Sequence, residues 1–173
     1  FLVQIVLARL LAPEQFGLIA MVTVFTALGL IIVDAGLSRA IIQREDLSAA
    51  VLTTVFYANI VIAVLVVGGL WWSAPAVSKY YGYVELELIL KILSLNLVLG
   101  ALSLIQRSLL SRSMDFRGIF WATLPSTVIS GILAIALALK GYGVWALVAQ
   151  TLAQTTIQGL VFWGKSDWRP GRS

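Results

Sequence analysis

Three glutamines recur four residues apart in Gln150-Thr-Leu-Ala-Gln154-Thr-Thr-Ile-Gln158. On a helix that spacing puts the three amides on one face, with Thr151 and Thr155 beside them. An amide in an apolar setting is costly unless it is paired. The row must therefore bond neighbouring helices or line a water-filled cavity, and the residues alone allow both. A second polar face is Asn96, Gly100, Ser103 and Arg107, at i, i+4, i+7 and i+11. Gly100 and Ser103 also suit close helix packing. Arg107 ends one apolar run and Arg39 follows another, each bringing a planar guanidinium that grips anionic oxygens in a bidentate way. Asp34, in Asp-Ala-Gly-Leu-Ser-Arg, is either a coupling-ion site or the cap of a short segment, Leu37–Ile42. Glu87 stands four residues before Lys91, the favourable order for a helical ion pair, so Lys91 is expected to pair at an interface.

The elements that must hold these residues are apolar helices. Five runs, Gly17–Val33, Ala49–Trp72, Leu86–Gln106, Gly118–Leu139 and Gly141–Gly164, follow one another with short polar links. A bilayer core about 30 Å thick needs roughly 20 apolar helical residues. Four of the runs contain no charge, and Leu86–Gln106 contains only Lys91. Phe1–Ala8 reads as the tail of a further span that has lost its beginning. The expectation is an all-α, polytopic transmembrane bundle of about six spans, the first incomplete, filling residues 1–173. Unbroken apolar runs argue against a barrel, which would alternate. Pro13, Gly17 and Gly36 read as punctuation and Ser48 as a helix cap. Glu85 and Glu87 favour a helix start, and Pro125 is a point of local loosening. The short Lys140-Gly-Tyr-Gly link makes the last two spans antiparallel neighbours.

Composition agrees, with 60% hydrophobic and 12% charged residues among 173. A soluble domain carries roughly twice that charge. The net charge of +4 lies in loops between spans and reads as a topology signal, not as a nucleic-acid surface. The chain has no Cys and no His, which removes disulfides, thiol chemistry and imidazole acid–base or metal sites. The acids are Glu14, Asp34, Glu45, Asp46, Glu85, Glu87, Asp115 and Asp167, and none lies deep in an apolar run. No catalytic motif, metal-ligand cluster or phosphate loop emerges, so neither an enzyme nor a cofactor is expected.

Counting basic residues by alternate loops gives a sidedness. Arg39, Arg44, Arg107, Arg112, Arg117, Lys165, Arg169 and Arg172 fall on one side, against Arg9, Lys79, Lys91 and Lys140 on the other. Basic loops stay cytoplasmic, so the even-numbered loops and the end of the chain are expected there. Trp71, Trp72, Tyr80, Tyr81 and Tyr83 mark one water boundary, and Trp163 and Trp168 the other.

The loops also carry a resemblance. Leu10-Leu-Ala-Pro-Glu-Gln-Phe-Gly17, Asp34-Ala-Gly-Leu-Ser-Arg-Ala-Ile-Ile-Gln-Arg-Glu-Asp46 and Leu109-Leu-Ser-Arg-Ser-Met-Asp-Phe-Arg117 follow the first, second and fourth spans. Gly141-Tyr-Gly-Val-Trp-Ala-Leu-Val148 and Trp168-Arg-Pro170 bracket the sixth. Together these are similar to the polysaccharide transporter (Wzx-type) branch of the multidrug/oligosaccharidyl-lipid/polysaccharide flippase superfamily.

The resemblance implies a protein of the bacterial inner membrane serving polysaccharide export, as in lipopolysaccharide or exopolysaccharide biosynthesis. It would flip an undecaprenyl-pyrophosphate-linked oligosaccharide by alternating access between two six-helix lobes. This chain would be the N-terminal lobe, partnered by membrane lipids and by a C-terminal lobe it lacks, and inactive alone. On that reading Gln150, Gln154, Gln158 and Asn96 meet sugar hydroxyls, while Arg107 and Arg39 meet pyrophosphate at the cytoplasmic mouth. The rival for the two arginines is anchorage to lipid headgroups. Rival functions are a multidrug exporter, expected to need a buried acid, and a membrane-embedded glycosyltransferase or polymerase, expected to need extracytoplasmic carboxylates. A non-transporting membrane scaffold is a further alternative.

Overall fold

The computed structural model describes residues 2–43, 48–166 and 168–170. Over these the chain is helical: α1 (Leu2–Leu10), α2 (Pro13–Asp34), α3 (Leu37–Gln43), α4 (Ala49–Tyr81), α5 (Glu85–Arg112), α6 (Phe116–Leu139) and α7 (Val144–Lys165). Four helices, α2, α4, α5 and α6, are long and apolar enough to cross a membrane. They are apolar around most of their circumference, and Ile31, Leu65 and Ile132 stand well exposed on their outer faces. Helices of that kind belong in lipid. The protein is a polytopic helical membrane protein. Arg44, Glu45, Asp46, Asp167 and Arg172 fall outside the described residues.

The element boundaries follow local chemistry. α2 begins at Pro13, four residues before the apolar run, because a fixed φ and a missing N–H cost nothing at the first helical position. Gly17 therefore lies inside α2 and punctuates nothing. Ser48 caps α4, its Oγ accepting the Val51 N–H at 3.3 Å. α4 continues nine residues past Trp72, through Pro75, to stop at Gly82 in the left-handed region (φ 77°). Its 33 residues make about 50 Å of helix, well beyond the hydrocarbon core. α5 likewise runs past Gln106 to Arg112 with Glu85 and Glu87 in its first turn. Asp115 caps α6 by accepting the Gly118 N–H at 2.9 Å, and its carboxylate curls into the space a Cβ on residue 118 would fill. That explains physically the Asp-Phe-Arg-Gly stretch. α7 starts at Val144, not at Gly141, because Gly141 and Gly143 take positive φ in the tight link. α7 has 22 residues, yet its glutamines and threonines dilute it, so four helices and not five qualify as spans by length and apolarity.

α5 is the axis of the packing, with α2, α3, α4, α6 and α7 all against it. α4 and α5 form one long hairpin, and α6 and α7 form the antiparallel pair the short link requires. Near the Gly82 and Lys140 turns, α2, α4, α5 and α7 share a core of Leu18, Val22, Ala74, Leu86, Leu90, Val144 and Val148. At the opposite end Phe56 packs edge-on against Trp163 and Trp168, and the Trp163 Nε1–H donates to Leu102 O at 2.8 Å. α1 lies along α6, with Val3 filling the space above Gly131.

Candidate functional site

The site is built where α2 stops. Ala35 and Gly36 adopt positive φ (40° and 79°), which ends the helix and turns the chain. Asp34 Oδ1 then accepts the Ser38 N–H at 3.1 Å, starting α3 in the capping role that is one of the two the sequence allows. The turn folds α3 back against α5. Between α2, α3 and α5 lies a cavity of about 380 Å³. Asp34, Ser38 and Arg39 line one wall, and Gly100, Ser103, Arg107, Ser108 and Ser111 line the other.

Arg39 and Arg107, 68 positions apart in sequence, therefore share one chamber. The Gly100, Ser103 and Arg107 face turns toward it as the helical spacing predicts. A Cβ on residue 100 would meet nothing within 4 Å, so Gly100 borders open space and is not a packing glycine. Close packing falls instead to Gly159 of α7, where a Cβ would approach Ser103 Oγ to 2.6 Å. Asn96 sits one turn beyond Gly100 on the same face, and its Oδ1 is buried without a hydrogen-bond partner. The chamber combines two cations, one carboxylate and several hydroxyls within an apolar bundle. Guanidinium groups beside hydroxyls are chemically suited to anionic oxygens bearing polar substituents.

The glutamine row lies elsewhere, along α6. Gln158 Nε2 donates to Thr123 Oγ1 at 3.0 Å and Gln154 Nε2 to Thr127 Oγ1 at 3.3 Å. The Thr127 hydroxyl donates in turn to Thr123 O at 2.8 Å, as does that of Ser126. These bonds bracket Pro125, through which α6 runs unbroken. Gln150, two turns from Gln158 on the same face, is half-buried. Beside the seam is an apolar recess lined by Phe120, Thr123, Leu124, Thr127 and Val128. Lys91 joins neither region, since its Nζ pairs with Glu87 Oε1 at 2.6 Å.

Two amides that reasoning from sequence passed over are fully buried. Asn59 donates to Ala101 O at 3.4 Å across the α4–α5 interface, leaving its Oδ1 unpartnered. Gln106 has 0% exposure and no partner for either amide atom. A lone amide inside the apolar run Val51–Leu70 was a readable signal for Asn59. Gln106 was masked by the adjacent charge of Arg107.

Comparison with known proteins adds a family. A family model described as polysaccharide biosynthesis protein matches residues 6–173. The chain is 30% identical to the succinoglycan biosynthesis transport protein ExoT of Rhizobium meliloti (strain 1021), over 95% of this chain and 33% of that protein. It is 28% identical to the teichuronic acid biosynthesis protein TuaB of Bacillus subtilis (strain 168), over 84% of this chain and 30% of that protein. With the lipopolysaccharide biosynthesis protein WzxC of Escherichia coli (strain K12) it shares 27% identity, over 96% and 34% respectively. The chain spans about a third of the length of these curated relatives. No solved structure matches it.

Proposed function

This chain belongs to the polysaccharide biosynthesis protein family, and from that premise we propose that it is one lobe of a transporter that flips a diphosphate-linked oligosaccharide lipid across the bacterial inner membrane. The observation that supports this best is the meeting of Arg39 and Arg107 in one chamber of a membrane bundle. A diphosphate and its sugars cross hydrocarbon only if protein groups replace their water, because bare polar transfer costs many kcal/mol. Two guanidinium groups supply charge-assisted bonds to the diphosphate, and Asn96 with the serine hydroxyls serves the first sugar. The polyprenyl tail stays in lipid. In this reading Gln154 and Gln158 chiefly hold α6 to α7, while Gln150 remains a sugar contact.

The arginine-rich end faces the cytoplasm in this proposal, where the substrate is loaded, and α7 completes the membrane crossing with α2, α4, α5 and α6. A second lobe supplies the opposite wall, and rocking of the two lobes exposes the chamber to either side. The relative ExoT is itself described as a transport protein, which favours transport over glycosyl transfer.

The test uses the full-length native protein in its own host. Replacing Arg39 and Arg107 together with glutamine should cut surface polysaccharide at least tenfold at unchanged protein abundance, while the lipid-linked precursor accumulates. Normal surface polysaccharide in that variant overturns the reading. Sidedness is tested separately with single cysteines in the Cys-free chain. Labelling from outside is expected beside Lys79 and Lys140 and not beside Arg112 or Arg169, and outside labelling at Arg112 refutes the orientation.

A further inference from the structure

The charge on Asp34 is not explained by its cap. One oxygen, Oδ1, takes the Ser38 N–H, and an asparagine or a serine fills that role about as well as an aspartate. Yet the carboxylate also lines the chamber that holds Arg39 and Arg107, half-buried among Ser38, Ser103 and Ser111. Asp34, Arg39 and Arg107 line one space of about 380 Å³, so an ion held there meets all three charges.

We propose that Asp34 is the resident counter-charge of this chamber, a residue that weakens the hold on an anionic headgroup so that it can be released. This rests on the reading above, that the chamber takes a diphosphate diester. Two guanidinium groups and one carboxylate give the empty chamber a net charge of one positive. A diphosphate diester brings two negative charges and leaves the loaded chamber one negative. Without Asp34 the loaded chamber would be neutral, and the headgroup would be held against no opposing charge. A carrier gains nothing from such a match, because a ligand must bind well enough to enter and weakly enough to leave.

The experiment measures binding of farnesyl diphosphate to the full-length protein in phosphatidylcholine nanodiscs, with inorganic diphosphate as competitor. Asp34→Asn and Asp34→Ser both preserve a helix cap and remove the charge, and each should bind the probe about tenfold more tightly. Asp34→Glu should bind like wild type. Export per molecule should fall several-fold in the Asn and Ser variants despite the tighter binding. Unchanged affinity in both neutral variants, alongside wild-type binding that is lost in Arg39→Gln/Arg107→Gln, overturns the counter-charge and leaves the chamber reading standing. Absence of wild-type binding, binding indifferent to the arginines, or failure of inorganic diphosphate to compete overturns the chamber reading and the counter-charge with it.

Discussion

The arginine chamber and the glutamine seam are both polar regions inside an apolar bundle, yet they solve the problem of polarity in opposite ways. Along the seam the amides of Gln158 and Gln154 donate to Thr123 and Thr127 on the facing helix, and the Thr127 hydroxyl donates back within α6. In the chamber, polar groups line free space, with Arg39, Arg107 and Asp34 around a cavity and open room beside Gly100. A polar group in a membrane is costly either way. Pairing it within the protein makes structure, and leaving it at a cavity makes a place for something else. Residue type alone does not separate the two outcomes, since amides in a row appear the more suggestive feature in sequence.

That contrast can be broken by substitution, and the largest effect is expected where the two regions touch. Gly159→Val would drive a branched side chain into Ser103, whose Oγ already lies 2.6 Å from the nearest possible Cβ. The loss should be about 1 to 3 kcal/mol, the usual range for overpacking, measured by thermal unfolding in detergent. Ser103→Gly in the same background should recover most of it. No recovery would mean that the α5–α7 contact is not what limits residue 159.

The seam sharpens the contrast next. Gln154→Leu and Gln158→Leu should each cost about 0.6 to 1.7 kcal/mol, as interhelical bonds in membranes do. Gln158→Leu combined with Thr123→Val should cost less than the sum of the two singles, because the same bond is removed twice. Strict additivity in that cycle would deny the pair.

Smaller effects belong to positions outside both regions. Ser48→Ala removes the cap of α4 and should cost about 1 kcal/mol of stability with export per molecule unchanged. Lys91→Met breaks the Glu87 pair, whose groups are about a third exposed, and should cost under ~1 kcal/mol. A large export defect from Lys91→Met would bring a third region into the account.

Much of this architecture was legible in the chain because lipid imposes simple rules. Unbroken apolar runs have one stable form there, so α2, α4, α5 and α6 were readable to within a few residues at most ends. Caps were readable too, since Ser48 and Asp34 act locally on the next turn. Helix extensions were not. Nothing in an apolar count announces that Ala74 and Ser78 carry α4 nine residues onward against its neighbours, through Pro75. The spacing of Gly100, Ser103 and Arg107 told which residues share a face, and that face does line the chamber. What lay opposite was not readable, because it depends on how α3 folds back. The same limit hid the Thr123 and Thr127 partners of the glutamines, which sit in another run and at another helical phase.

The most direct test of the central claim, that the arginine chamber and not the glutamine seam engages substrate, compares Arg107→Lys with Gln158→Leu in the full-length protein. Surface polysaccharide is measured per molecule of protein in the membrane. Lysine keeps the charge and the topology signal but loses the fork, so Arg107→Lys should export at least fivefold less per molecule at normal abundance. Gln158→Leu should lower abundance while each remaining molecule exports normally. Full export by Arg107→Lys, together with lost export at normal abundance in Gln158→Leu, would exchange the two roles and contradict the account.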